Sequence, residues 1–217
     1  MELREAMTTL GTCRRFRPDP LPDEVLVRAV EMARYAASGG NRQPVRYLVV
    51  RDAAARRRLG EWYLEPWGAY YERARAGGHR VGGEQAARML EEANAFAHGY
   101  GDHPAIVVVC ARLADLLATD ADLDRLSIVG GASVYPAVQN FLLALRSQGV
   151  ATAMTTLLCG AHDERVRELL GIPDGWATAC HVVAGYPERP FPRRLTRLPV
   201  SELLFAERFG APLEGPA

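Results

Sequence analysis

Lysine is absent from the 217-residue chain; all 26 basic side chains are arginine, set against 26 acids for a formal net charge of zero. Without a primary side-chain amine there is no Schiff-base chemistry, and without the phosphate lysine there is no P-loop. Any anionic ligand must be held by arginine, by backbone N–H groups or by hydroxyls. Cysteine is scarce as well. Cys13, Cys110, Cys159 and Cys180 lie in four separate segments with no C-x-x-C pair, which speaks against a zinc cluster or a disulfide framework, and no metal is expected. No uninterrupted apolar run reaches the roughly 18 residues of a membrane span. The stretch Met1-Glu2-Leu3-Arg4-Glu5 lacks the charged-then-apolar layout of a secretion signal. The balanced charge gives no reason to expect nucleic acid or an acidic membrane as partner. The chain is therefore expected to be soluble and cytoplasmic.

What is present is a mostly regular α/β pattern, with 48% apolar residues to supply a core. Pro18, Pro20 and Pro22 break the chain before a helix opening at Pro22-Asp23-Glu24, with its acids at the positive end. That helix is expected to stop at Ser38-Gly39-Gly40. Strands are predicted at 47–50, 105–111, 150–156 and 176–184, the second buried on both faces. Helices are predicted over 53–76 and 83–97, separated by a Gly-rich break at 77–83. A long helix is expected from about Leu123 to Gln148, with Pro136 kinking it or starting a new one. A short helix follows Gly160, and another is expected near 200–208. By itself this alternation favours a parallel sheet.

Five segments could carry chemistry. Thr12-Cys13-Arg14-Arg15-Phe16-Arg17 packs three arginines into four positions, either a phosphate or carbonyl holder or a solvated basic turn. Ser38-Gly39-Gly40-Asn41-Arg42-Gln43-Pro44 joins a helix end to a strand. Its glycines allow close backbone approach, and its amides suit a heteroaromatic edge; a plain helix cap reads equally from the pattern. Gln139 and Asn140 sit among apolar neighbours and are read as structural, as are His162 and His181. Thr155 and Thr156 stand at a strand end, a common ligand position. Arg193, Arg194 and Arg197 form a second basic cluster that could join the first around one phosphate. The aromatic stretch from Trp62 to Tyr71 reads as a lid over an aromatic acceptor or as ordinary packing.

In order and spacing these segments resemble the nitroreductase family. Its motif R-x-S-x-R-x-F is similar to the segment in which Thr12 stands for the serine, Arg14 for the second basic residue and Phe16 for the aromatic. P-S-x-x-N-x-Q-P is similar to 37–44, the central Q-N helix to 132–149, G-Y-P to 185–187, and the arginine of the tail to Arg197 in Arg197-Leu198-Pro199. Three positions depart from the pattern: Leu10 or Gly11 falls at the family's first arginine, Ala37 at the proline, and Thr156 at a glutamate found in some members.

The resemblance implies an α+β fold with a central, mostly antiparallel sheet flanked by helices, which replaces the parallel expectation. It implies a single nitroreductase-like domain over 1–217, with the tail from about 188 exchanged across a homodimer that holds two FMN sites. The cofactor-binding set it implies is Thr12, Arg14, Arg15, Ser38, Asn41, Gln43, Thr155, Thr156, Arg194 and Arg197, with Arg14 as the electrostatic stabiliser on the N1 side. Trp67, Tyr70 and Tyr71 would meet the substrate. The implied activity is hydride transfer from NADH or NADPH to flavin N5, followed by two-electron reduction of a small acceptor such as an aromatic nitro compound or quinone. The alternatives are a flavin-dependent dehydrogenase, dehalogenase or oxygen-using enzyme, or a non-catalytic flavin-binding dimer. No dinucleotide fingerprint selects between the two nicotinamides.

Overall fold

A computed structural model describes residues 1–76 and 84–213. The expected Gly-rich break at 77–83 lies outside the described residues. The chain forms α1 (Leu3–Thr9), α2 (Asp23–Ala33), β1 (Val45–Val50), α3 (Ala53–Arg75), α4 (Glu84–His98), β2 (Ala105–Arg112), α5 (Tyr135–Ser147), β3 (Ala151–Thr155), α6 (Asp163–Leu170) and β4 (Trp176–Gly185). No helix among the described residues is long and apolar enough to cross a membrane.

The four strands form one sheet in the order β1-β2-β4-β3, with every neighbouring pair antiparallel. The fold is α+β, as the resemblance implied, and the parallel reading from alternation is corrected. Its error has a physical source. Along β2, Ala105, Val107, Val109 and Ala111 face a core shared with α2 and α5. The intervening Ile106, Val108 and Cys110 face a second core built with α3 and α4. A central strand covered on both faces reads as a continuous apolar run whatever its direction.

Local chemistry sets the helix boundaries. The Asp52 carboxylate caps α3 by accepting from the Ala55 N–H at 2.7 Å, and Leu59, Tyr63 and Trp67 then recur every fourth residue on its buried face. The long helix expected from Leu123 is shorter at its N-terminal end. It begins at Tyr135, with Pro136 in its first turn, so the second of the two roles open to Pro136 holds. A continuing helix would bring the proline ring against the carbonyl four residues earlier. Gly131 also lies so close under the Tyr135 ring that a Cβ there would sit 2.6 Å from it. The helix expected near 200–208 is reduced to a single 3-10 turn at Val200–Glu202. Glu207 has a positive φ of 58°, and Leu203, Leu204 and Phe209 stay exposed among the described residues, leaving a short helix without apolar packing to stabilise it. The helix α2 ends at Ala33, before the expected Ser38-Gly39-Gly40, which forms its own tight turn.

His181 lies on β4 with no exposed surface. Its Nδ1 is 2.9 Å from the Tyr100 hydroxyl, itself fully buried, and its Nε2 has no partner among the described residues. Burial pushes its pKa down to about 4, so the folded chain holds it neutral, while the unfolded chain takes up a proton near pH 6.5. This contribution to stability is complete above the unfolded value and is lost progressively as pH falls from there to the folded value near 4. His103, lowered by the same cause, acts in the same sense. Unfolding free energy measured in urea is expected to drop by about 2 kcal/mol from about pH 7.5 to about pH 5 on account of His181. His181→Gln should flatten that profile; an unchanged slope in the variant would remove His181 as its source.

Candidate functional site

The expected site residues fall into two groups, at opposite edges of the sheet. The first is built on β3. Residues 12–17 run along its outer side: Thr12 bridges Thr152 in parallel, and the Cys13 N–H donates to the Thr152 carbonyl at 2.9 Å. The Arg17 N–H then donates to the Tyr186 carbonyl at 2.8 Å, and the Glu188 N–H to the Arg15 carbonyl at 3.2 Å. Phe16 turns into the core, while Arg14 stays half-buried at the mouth of a cleft of about 710 Å³. That volume is typical of a site for a small organic ligand.

Thr12, Arg14, Thr155 and Thr156 form the polar end of this cleft; Tyr63, Trp67 and Tyr70 of α3 and Met89, Leu90 and Phe96 of α4 wall the rest. Two groups hold Thr155: its Oγ1 lies 3.1 Å from the Tyr63 hydroxyl and accepts from the Leu157 N–H at 3.4 Å. Burial raises the Tyr63 pKa, so the phenol stays protonated. The Tyr63 ring stacks on Tyr100 at 4.3 Å, and the Trp67 indole donates to Asn94 Oδ1 at 2.9 Å, which ties α3 to α4.

A recess of about 410 Å³ continues the cleft, sharing Thr12, Arg14 and Met89 with it and adding Arg15 and Arg197. Among the described residues Arg14 and Arg197 have no carboxylate within salt-bridge distance. Arg15 differs, lying 3.8 Å from Glu92, which also pairs with Arg189 at 3.2 Å. The structure thus brings together Thr12, Arg14, Arg15, Thr155, Thr156, Arg197, Trp67 and Tyr70. Arg194 lines neither space. Tyr71, expected at the substrate, is not among the residues lining the cleft; its hydroxyl donates to Glu91 Oε1 at 2.7 Å. The wall contributed by α4 was not anticipated. Its signal was the apolar spacing of Ala86, Met89, Leu90 and Ala93, which reads as ordinary core.

Ser38, Asn41 and Gln43 lie at the other edge. Ser38 and Gln43 line a pocket of about 340 Å³ between α2, β1 and the start of α5. Three strand spacings, roughly 14 Å, separate β1 from β3 across the sheet. The loop is tightly determined. Ser38 Oγ accepts from the Gln43 N–H at 3.0 Å, the Gly39 N–H donates to Ser133 Oγ at 3.0 Å, and the Gln43 amide donates to Asn41 Oδ1 at 3.2 Å. Asn41 and Gln43 are held at φ of 54° and 49°, a conformation that costs energy for any residue with a Cβ. Gln43→Gly is expected to raise the unfolding free energy by up to about 1 kcal/mol. A urea midpoint no higher than that of the parent would show that the loop carries no such strain.

A family model described as the nitroreductase family matches residues 11–186. The 5,6-dimethylbenzimidazole synthase of Rhodospirillum rubrum is 28% identical over 192 residues, spanning 82% of this chain and 80% of its own. A protein named NADH dehydrogenase from Thermus thermophilus is 28% identical over 215 residues, spanning 94% and 95%. Among solved structures, oxidised iodotyrosine deiodinase bound to FMN and 3-iodo-L-tyrosine superposes with a TM-score of 0.69 at 23% identity, covering 91% of this chain and 96% of that one.

Proposed function

The chain belongs to the nitroreductase family, and from that premise we propose that it is a homodimeric FMN-dependent oxidoreductase taking electrons from NADH or NADPH and delivering them in pairs to a small aromatic acceptor. The observation that carries this reading is the joined cleft and recess beside β3: an aromatic wall long enough for a flat ring, ending at two arginines without carboxylate partners among the described residues. A group with a planar heteroaromatic ring at one end and a phosphate at the other fits that arrangement. When bound, FMN supplies the redox chemistry itself.

The chain's residues have definable tasks. Arg14 and Arg197 would hold the phosphate end, where guanidinium forks match its oxygens. Arg14 also stands where the recess meets the cleft, and its fixed positive charge there favours negative charge arriving at the adjacent ring edge. Thr155, held by Tyr63, offers a hydroxyl at the strand end. Trp67, Tyr70 and Phe96 keep water from the ring's neighbourhood and offer stacking to a flat acceptor. Ser38, Asn41 and Gln43 lie too far across the sheet to act on the same ligand within one chain, so a second copy would supply them. The tail from 188 onward, with Leu198, Val200, Leu203 and Phe209 exposed, would be covered by that copy. The domain is read as one unit completed by its partner.

A second reading is favoured by the match to 5,6-dimethylbenzimidazole synthase and the likeness to iodotyrosine deiodinase. In it the same site serves an oxygen-using or dehalogenating flavoenzyme. The visible spectrum of the purified chain with FMN, taken anaerobically before and after NADPH and then NADH, separates the two. Bleaching by either nucleotide is the expected outcome. A bound flavin that neither bleaches would favour the second reading, and no bound flavin would end both. Arg14→Ala is expected to weaken FMN binding at least about tenfold, measured by fluorescence titration; unchanged affinity would remove Arg14 from the site.

A further inference from the structure

Of the four arginines that line the recess, the two without a carboxylate partner among the described residues come from opposite ends of the chain. Arg14 follows α1, and Arg197 lies in the C-terminal tail, so their joint use depends on what holds these segments together. Arg146, near the end of α5, is only 5% exposed, and no carboxylate pairs with it among the described residues. Its Nε donates to Thr9 Oγ1 at 3.0 Å, and the Thr9 hydroxyl proton goes to the Glu5 carbonyl at 2.6 Å. Its guanidinium carbon lies 3.7 Å from the centre of the Phe191 ring. Thr9 is the last residue of α1, and Phe191 belongs to the tail and lines the recess. One planar cation therefore touches both terminal segments beneath the recess. Their approach is close: a Cβ on Gly11 would sit 3.1 Å from Leu195 Cδ2.

An apolar residue at 146 would fill this space without the cost of burying a charge. It could not donate to Thr9 and present a flat cationic face to Phe191 together. We propose that Arg146 is a positioning residue for the anion end of the site, clamping Thr9 to Phe191 so that Arg14 and Arg197 converge on one phosphate. The proposal rests on the FMN reading above, and its test separates the two.

The full-length chain freed of flavin is titrated with FMN and with riboflavin, which carries the same ring and no phosphate. The parent is expected to bind FMN more tightly. In Arg146→Met and in Phe191→Leu, FMN affinity is expected to fall about tenfold while riboflavin affinity stays within about twofold. Phe191→Leu approaches the clamp from its half-buried side and guards against a folding defect in the first variant. Arg146→Lys, which keeps the charge and loses the flat fork, should fall between parent and Arg146→Met. Parallel losses for both ligands would mark a general structural role and overturn the proposal, as would variants that keep the parent's preference for FMN. A parent chain that binds riboflavin as tightly as FMN would overturn the phosphate reading itself, and this proposal with it.

Discussion

The backbone pairing of residues 12–17 with β3 and the end of β4 decides where everything else in the candidate site falls. Three hydrogen bonds, at Cys13, Arg17 and Glu188, fasten this segment along its length. In an extended segment alternate side chains share a face. With Phe16 committed to the core beside Pro187, Arg14 is placed over the end of β3 and beside Thr155. The aromatic wall of α3 then has something to face. Without the pairing, the same residues would be a charged N-terminal stretch with no fixed relation to the cleft.

A second constraint follows from burying the sheet on both faces. Because β2 and β4 are covered by α2 and α5 on one side and by α3 and α4 on the other, neither face has room for a ligand. Binding surfaces are left at the two outer strands. One edge carries the cleft and the arginines; the other carries the strained loop at Ser38 to Gln43. The loop's geometry, with Asn41 and Gln43 both in the left-handed region, is stored strain of the kind that persists where surrounding contacts over-determine it. On the proposed reading, a loop kept in that form at one edge and the polar end of the cleft at the other would be two halves of a site joined by a two-fold assembly.

Much of this is legible in the sequence, and what is not has physical causes. The strand β2 announces itself because double-sided burial demands an unbroken apolar run, and β4 nearly so, interrupted by the buried Thr178 and His181, but such runs hide strand direction. The residues Thr12, Arg14, Thr155 and Arg197 could be gathered because order and spacing along the chain matched a known pattern. Tyr71 is not separable by sequence from Trp67 and Tyr70, since a step of one residue on α3, about 100° of rotation, distinguishes the ring that lines the cleft at Tyr70 from the one whose hydroxyl meets Glu91 at Tyr71. The start of α5 was misplaced because apolar spacing continues upstream of Pro136, and periodicity is blind to a missing N–H. Tyr63 went unassigned because its role depends on Thr155, 92 residues away. The clamp at Arg146 was invisible for the same reason.

The exclusive use of arginine acquires a structural meaning in this light. Several arginines are spent as flat covers on aromatic rings: Arg17 on Tyr186 at 5.3 Å, Arg46 on Trp176 at 5.6 Å and Arg146 on Phe191 at 3.7 Å. Others pair with acids, as Arg167 does with Asp163 at 2.9 Å and Arg125 with Asp120 at 2.7 Å. A lysine ammonium would serve the ion pairs but not the stacks, for which a plane is needed. Arg14 and Arg197 have neither ring nor carboxylate among the described residues, although both line the same recess. Arg197 is exposed and donates to the Thr196 carbonyl at 2.8 Å, but Arg14 is half-buried at the recess with no acid to pair with among the described residues, an arrangement that stability alone explains poorly because exposure or pairing would serve stability better. The same arrangement is well explained by an anion that arrives from outside, so the recess is better understood as one half of a contact than as a feature complete in itself.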